Sequence, residues 1–325
     1  MDTRNSLVSV IIPTYNYGKF IFEALDSVLK QTYNDLEIIV VDDDSTDNTR
    51  EIVTRYVKEL PGTLTYIFQK NKGPGAARNT GIARARGGYV AFLDADDIWL
   101  PGKLQLQIEV FRSCSDVGFV HTDNSLFSST GPINNYRFGI TAESQMSGNI
   151  FPYLLRECIV RTSTVLIKKS CVAKVGLFEE TYSGEDYDYW LRTAKICKAG
   201  YIGEALVRCR EHPEHLVRRD INKTYTNVRR VIRNTIQRFP EIQNDPECRI
   251  GLRFREAKCY FEIGYHYFCQ GELQEARKNF WVSLQHKFSM SVVKYLLLAC
   301  VNPGIIRGSK RIKSLLREKC QSSDI

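Results

Sequence analysis

Two apolar runs of strand length end in clusters of aspartate, and this pairing limits how the chain can fold more than any other feature. Leu36 to Val41 leads into Asp42-Asp43-Asp44, and Tyr89-Val90-Ala91-Phe92-Leu93 leads into Asp94-Ala95-Asp96-Asp97. Short continuous apolar runs bounded by turn residues read as strands buried on both faces. Helical spacing fills the segments between them, and strand-helix-strand alternation implies a parallel sheet wound with right-handed crossovers. Such a sheet gathers the carboxyl ends of its strands on one edge, where open α/β folds bind ligands. The two acidic clusters, distant in sequence, are therefore expected on the same edge. Three carboxylates in four positions repel one another and cost desolvation energy unless a cation neutralises them. Hard oxygen donors of this kind suit Mg²⁺ or Mn²⁺, with phosphate oxygens completing the shell. A solvated acidic turn that caps the next helix is the plainer alternative, and the turn alone does not choose.

The remaining elements follow the same rhythm. Val8 to Ile12 is a strand halted by Pro13, and Phe20 to Leu29 carries a helical stripe. Ser45-Thr46-Asp47-Asn48 offers caps for a helix reaching Leu60, Leu64 to Phe68 is a third strand, and Gly73-Pro74-Gly75 turns the chain into a helix from Ala76 to Arg86. A helix from Lys103 to Arg112 and a strand from Val117 to His121 come next. Asn124 to Gly148 is polar and aperiodic, which predicts a long functional loop. Ser163 to Lys168 reads as a strand, Ser170 to Val175 as a short helix, and Gly184 opens a helix reaching Lys198. Tyr201 to Arg210 is strand-like and expected to be antiparallel at the sheet edge. These assignments make residues 1–215 one α/β domain.

Residues 216–325 read as a helical region without acidic turns. A helix-Gly-helix unit around Gly271 resembles one tetratricopeptide-type repeat. A single repeat cannot bury its own faces, so it is expected to pack on the first domain or on a protein partner. The tail Gly304 to Cys320 mixes Ile and Leu with many Lys and Arg, as a membrane-surface helix does and as a solvated terminal helix also does. Net charge is +8 with the basic residues dense from Arg208 onward, which favours phosphate-rich ligands or anionic surfaces without choosing among them. The basic residues lack an aromatic-interleaved recognition motif, so nucleic acid is not an expected partner. Ten cysteines stand singly without zinc spacing, which points to reduced thiols. Met1 to Leu7 has no signal-peptide core, and no apolar run approaches the ~18 residues of a spanning helix. The expectation is a cytoplasmic protein; a solvated tail is the favoured reading, and peripheral contact on the inner membrane face is the alternative.

Five ordered motifs carry a resemblance: Val8 to Asn16, Val40 to Thr49, Asn71 to Asn79, Phe92 to Asp97, and Gly184-Glu185-Asp186. Together, over Leu7 to His215, they resemble the family 2 glycosyltransferases, inverting enzymes of the GT-A fold that use nucleotide-sugar donors. A lone Asp-x-Asp is frequent by chance; five motifs in order at similar spacing are not. Asp44 departs from the family's usual Gly in this turn, and Asp tolerates left-handed backbone well enough to keep it.

The resemblance implies a GT-A, Rossmann-like, mostly parallel sheet flanked by helices, with the C-terminal helical region appended. It further implies a nucleotide pocket at Pro13, Thr14 and Tyr15, with Asp43 accepting from a uracil imide and Asp42 in support. Arg78 is expected near the donor phosphates, Asp94 on ribose or sugar, and Asp96 on Mg²⁺ or Mn²⁺. Asp97 either holds position or meets the acceptor, and His212 resembles a histidine that faces the phosphates or metal. Asp186 resembles the base that deprotonates the acceptor hydroxyl, with Glu185 either orienting it or binding acceptor and Asp188 as the competing assignment. Donor and acceptor would be a UDP-sugar and a saccharide or lipid-linked acceptor, in the synthesis of cell-surface polysaccharide. A sugar-phosphate nucleotidyltransferase shares the sheet and the acidic turns, but Pro13-Thr14-Tyr15-Asn16 lacks that enzyme's Gly-rich basic loop. A helical docking module that recruits a partner is the non-enzymatic alternative.

Overall fold

The computed structural model describes residues 6–129, 131–133, 145–181, 183–212 and 220–300. Four β-branched runs with intervening amphipathic helices give the first half: Val8–Thr14 (β1), Gly18–Leu29 (α1), Leu36–Asp43 (β2), Thr49–Glu59 (α2), Leu64–Gln69 (β3), Pro74–Arg84 (α3) and Tyr89–Phe92 (β4). The order β3-β2-β1-β4 is parallel throughout, with Thr14 opposite Asp42 and Asp43 opposite Gln69. All residues of β1 are buried, as expected of a central strand covered on both faces. The acidic ends of β2 and β4 therefore lie on one edge of the sheet.

After β4 come Ile98–Trp99 (β5), Lys103–Ser113 (α4), Val117–Ser128 (β6), Gly131–Ile133 (β7), Phe151–Arg156 (α5), a 3₁₀ turn at Thr162–Thr164, Leu166–Lys168 (β8), Lys169–Val175 (α6), Glu185–Ile196 (α7) and Lys198–Arg210 (β9). The sheet continues β4-β8-β6-β9-β5, with β7 hairpinned onto β6. Three expectations change here. The segment from Asn124 to Ser128 is strand, not loop: β6 carries register shifts on either side of Asp123, which break the period-two pattern that marks a strand in sequence. β9 lies inside the sheet, parallel to β6 and antiparallel to β5, rather than at the edge. Ser163 and Thr164 belong to the 3₁₀ turn, and the strand begins only at Leu166. Residues 134–144 of the expected loop lie outside the described residues.

One face of the sheet packs Ile21, Leu25 and Val28 of α1 and Leu104, Ile108 and Phe111 of α4 against Val10, Ile12, Ile38 and Val40. On the other, Phe92, Phe178, Tyr189 and Trp190 form an aromatic cluster, with Phe178 and Tyr189 stacked at a centroid distance of 3.8 Å. Each such side chain contributes roughly 1.5–3 kcal/mol on burial, and this cluster lies beneath the edge where the acids gather.

The chain divides into two compact units, Met1–His215 and Leu216–Ile325. The second holds Ile221–Arg238 (α8), Pro246–Gln270 (α9), Leu273–His286 (α10) and Met290–Cys300 (α11). Gly271 adopts a left-handed conformation between α9 and α10 (φ 83°), and Phe261, Phe268, Phe280 and Tyr295 form a core of their own. The α9–α10 pair spans roughly 40 residues, longer than the ~34 of a tetratricopeptide repeat. The basic tail from Gly304 to Cys320 lies outside the described residues. Among the described residues, no helix is long and apolar enough to cross a membrane.

Candidate active site

At the end of β1, Tyr15 presents an exposed ring (47 %) beside the buried Pro13 and Thr14, whose Oγ1 is buried with no hydrogen-bond partner among the described residues. Asn16 sits in the left-handed region (φ 56°); its main-chain N–H donates to Ser45 Oγ (2.9 Å), and its Oδ1 accepts from Thr46 N (2.7 Å). These bonds join the loops after β1 and β2. Asp44 is also left-handed (φ 74°), so the turn survives the Asp-for-Gly departure.

Asp42 and Asp43 are both buried, and they do different work. Asp42 accepts from Ser45 N (2.8 Å) and Tyr66 Oη (2.7 Å), and burial followed by this carboxylate raises the Tyr66 pKa. Asp43 Oδ1 accepts from Gln69 Nε2 (2.8 Å) and Lys72 N (3.0 Å), while Oδ2 accepts from Gly73 N (2.8 Å). Asp43 thereby shapes the loop that opens α3, and one lone pair on Oδ2 stays available (a carboxylate oxygen accepts two bonds).

Arg78 is buried and joins two carboxylates: Nη2 donates to Asp94 Oδ1 and Nη1 to Glu185 Oε1, each at 2.9 Å. Its Cζ lies 5.4 Å from the ring centroid of Phe178, over the aromatic cluster. Burial opposes the charge, but Asp94 and Glu185 outweigh it and raise the Arg78 pKa further. Gly75 makes this approach possible: a Cβ there would meet Glu179 O at 2.4 Å and Glu185 Cγ at 3.1 Å.

The acidic turn divides by environment. Asp94 is half-buried and its N–H donates to Ser163 Oγ (3.1 Å). Asp97 is buried, accepting from Ser163 Oγ (2.6 Å) and Arg210 N (3.1 Å); burial, then Asp96 and Asp94, push its pKa well above the usual carboxylate range. Its geometry favours holding position over meeting an acceptor. Asp96 Oδ2 lies 3.0 Å from His212 Nε2, both side chains 9 % exposed, and the imidazole packs against Tyr17 and Phe20.

This pair fits Mg²⁺ or Mn²⁺. A carboxylate and an imidazole 3.0 Å apart form a donor set that suits a borderline-hard divalent cation. Among the described residues no three His, Cys, Asp or Glu side chains gather closely enough to hold an ion unaided. The remaining positions would fall to donor oxygens or water.

Across the Arg78 bridge from Asp94, α7 begins at Glu185, with Gly184 left-handed at φ 97° as its N-cap. Glu185 is buried; burial and then Asp186 raise its pKa, against the pull of Arg78. Asp186 is half-buried at the helix N-terminus, where Oδ1 accepts from Tyr187 N (2.7 Å). Asp188 is 2 % exposed and ion-paired to Arg192 Nε (2.8 Å), which in turn donates to Val175 O and Leu177 O. Asp188 therefore anchors α6 to α7 and has no access to a substrate. Ser163 and Arg210 were not legible as site residues; they reach the turn from elements far away in sequence, and Glu23 on α1 meets it only through Arg210.

A mixed sheet of this order with an acidic strand-end edge defines a GT-A-type α/β enzyme. The comparisons with known proteins go further. Residues 9–157 match the family described as Glycosyl transferase family 2. The putative teichuronic acid biosynthesis glycosyltransferase TuaG of Bacillus subtilis is 34% identical over 212 residues, covering 64% of this chain and 79% of TuaG. The protein belongs to the family 2 glycosyltransferases, which sets the nucleotidyltransferase alternative aside. Uncharacterized glycosyltransferases of Nostoc and Rickettsia also match, and the matched stretch spans about a third of the length of several of them. Among solved structures, Staphylococcus aureus TarS 1-349 in complex with UDP superposes with a TM-score of 0.61 at 21% identity, over 89% of this chain and 82% of that one. The mannosyltransferase PcManGT of Pyrobaculum calidifontis, in complex with GDP-Man and Mn²⁺, superposes at 0.55 with 19% identity, over 95% and 83%.

Proposed function

We propose that the protein is an inverting, metal-dependent glycosyltransferase that moves a sugar from a UDP-sugar to a saccharide or lipid-linked acceptor in polysaccharide synthesis. One observation carries the reading: the Asp96–His212 pair stands next to a carboxylate–guanidinium–carboxylate bridge, Asp94–Arg78–Glu185, that ends beside Asp186. The relatives support it, since TarS is in complex with UDP, PcManGT is in complex with a nucleotide-sugar and Mn²⁺, and TuaG is described as acting in teichuronic acid biosynthesis.

The base stacks on the exposed Tyr15 ring, Thr14 Oγ1 gains the partner it lacks, and Asp43 Oδ2 accepts from the base imide. Asp94, fixed by Arg78, meets the ribose or sugar, while Asp96 and His212 are the residues that would hold a divalent cation. When bound, the cation supplies Lewis-acid stabilisation of the departing diphosphate charge. Asp186 takes the proton from the acceptor hydroxyl as that oxygen attacks the anomeric carbon and the bond to the diphosphate breaks, inverting the centre. Glu185 orients the helix start through Arg78, Asp97 supports the turn, and Asp42 supports the loop after β2.

A panel of nucleotide-sugars incubated with Mn²⁺, read as nucleoside diphosphate release, tests the reading. UDP-sugar turnover that is lost in Asp96→Ala is the expected result. Turnover of no donor, or activity retained in Asp96→Ala, would contradict it.

A further inference from the structure

Arg210, the last residue of β9, meets the acidic turn in a way the proposed chemistry does not use. Its main-chain N–H donates to Asp97 Oδ1 (3.1 Å), its Nε donates to the main-chain oxygen of Asp96 (3.0 Å), and Nη2 donates to Glu23 Oε1 on α1 (2.8 Å). The guanidinium carbon lies 4.6 Å from the ring centroid of Phe20 and 4.4 Å from that of Phe127. The side chain is 11 % exposed. One residue on, Glu211 N donates to Phe127 O (2.7 Å), so the chain is tied down on both sides of the guanidinium before it reaches His212.

We infer that Arg210 is a positioning residue for the cation seat, holding Asp96 and His212 in the placement that lets both reach one ion. This rests on the reading of that pair as the metal ligands. Arg78 donates to a carboxylate of the turn, Asp94, whereas Arg210 donates to the carbonyl of Asp96 and leaves both its carboxylate oxygens to other partners. The Arg210 charge is matched by Glu23 on α1. A planar group stacked on aromatic rings while donating in divergent directions is a geometry that arginine provides and lysine does not. Arg210 thus fixes the peptide that carries Asp96 and sets where the chain leaves β9 toward His212.

The test is calorimetric titration of MnCl₂ into the full-length protein with excess UDP, using wild type, Arg210→Lys, Arg210→Ala and Asp96→Asn. Melting of the metal-free proteins serves as the fold control. Arg210→Lys, which keeps the charge for Glu23, is expected to bind Mn²⁺ at least tenfold more weakly, and saturating Mn²⁺ should restore most of its kcat. Arg210→Ala should weaken binding at least as much. Mn²⁺ affinity within twofold of wild type in Arg210→Lys, with affinity lost in Asp96→Asn, would make Arg210 a structural residue only and overturn the inference. Undiminished affinity in Asp96→Asn would instead overturn the metal reading on which it rests.

Discussion

Arg78 shows how a single side chain gains meaning between sequence and fold. Its motif suggests a guanidinium near phosphate, and in the folded protein its Nη groups hold Asp94, after β4, and Glu185, at the start of α7. Arg78→Ala would strand the buried Glu185 beside Asp186 without its cation, so urea unfolding should register a loss of about 3–5 kcal/mol. A loss below 1 kcal/mol would mean that the bridge does not form in solution. At Asp44 the expectation runs the other way. Its φ of 74° is strained for a side-chain-bearing residue, and its partner Lys70 is exposed, so Asp44→Gly should be neutral or stabilising by up to roughly 1 kcal/mol. Asp94, Asp96 and Asp97 were legible because their chemistry is concentrated in adjacent positions. Ser163 and Arg210 were not, because they arrive from 66 and 113 residues away from Asp97, and no local pattern announces such a contact.

Among the elements, the parallel half of the sheet was read nearly to its boundaries, since β1, β2 and β4 are covered on both faces and composition alone marks them. β5 was missed because two residues carry no periodicity, and the far half of β6 because its bulges scramble it. β6 also carries a testable titration. His121 is fully buried, Nε2 donates to Met146 O (2.8 Å), and burial pushes its pKa down to about 4. The folded value lies below the unfolded value of about 6.5, so the unfolded chain binds the proton first. Stability from this group is therefore complete above pH 6.5 and is lost as pH falls toward 4, by about 3 kcal/mol. Replacing the imidazole, as in His121→Phe, should flatten that arm of the urea midpoint against pH; an unchanged slope would place the titration elsewhere. Lys103 is a second buried group, within α4, with Nζ donating to Gln107 Oε1 (2.9 Å) and lying 3.9 Å from the Trp99 ring centroid. Burial lowers its pKa well below the usual lysine range. Folded below unfolded again means stability that grows as pH rises, so Lys103→Met should help most at neutral pH and progressively less toward pH ~10.5.

In the whole molecule, charge and packing follow the division into two units. Asp and Glu outnumber Lys and Arg by 27 to 24 through His215, and Lys and Arg lead by 21 to 10 beyond it, so the positive excess belongs to the helical unit. The two units also have separate cores. Phe280, fully buried among Phe261, Phe268 and Tyr295, is the centre of the second, and Phe280→Ala should cost that unit about 3–5 kcal/mol. UDP affinity should survive the change, as read by titration; a parallel loss would mean that the catalytic unit depends on the helical core. The helical region was legible as helices, from the spacing of Ala257, Phe261, Gly264 and Phe268. Its architecture was not, because a repeat motif specifies one pair and the pair here is longer than the motif.

The most direct test of the account is the behaviour of Asp186→Asn with a UDP-sugar, Mn²⁺ and acceptor, measuring turnover and donor affinity on the same preparation. An amide keeps the shape at the start of α7 but cannot take the acceptor proton. The account predicts that kcat falls by about 10²–10⁴ while donor affinity stays within threefold of wild type. Turnover near wild type, or donor binding lost along with turnover, would contradict the assignment of Asp186 as the base.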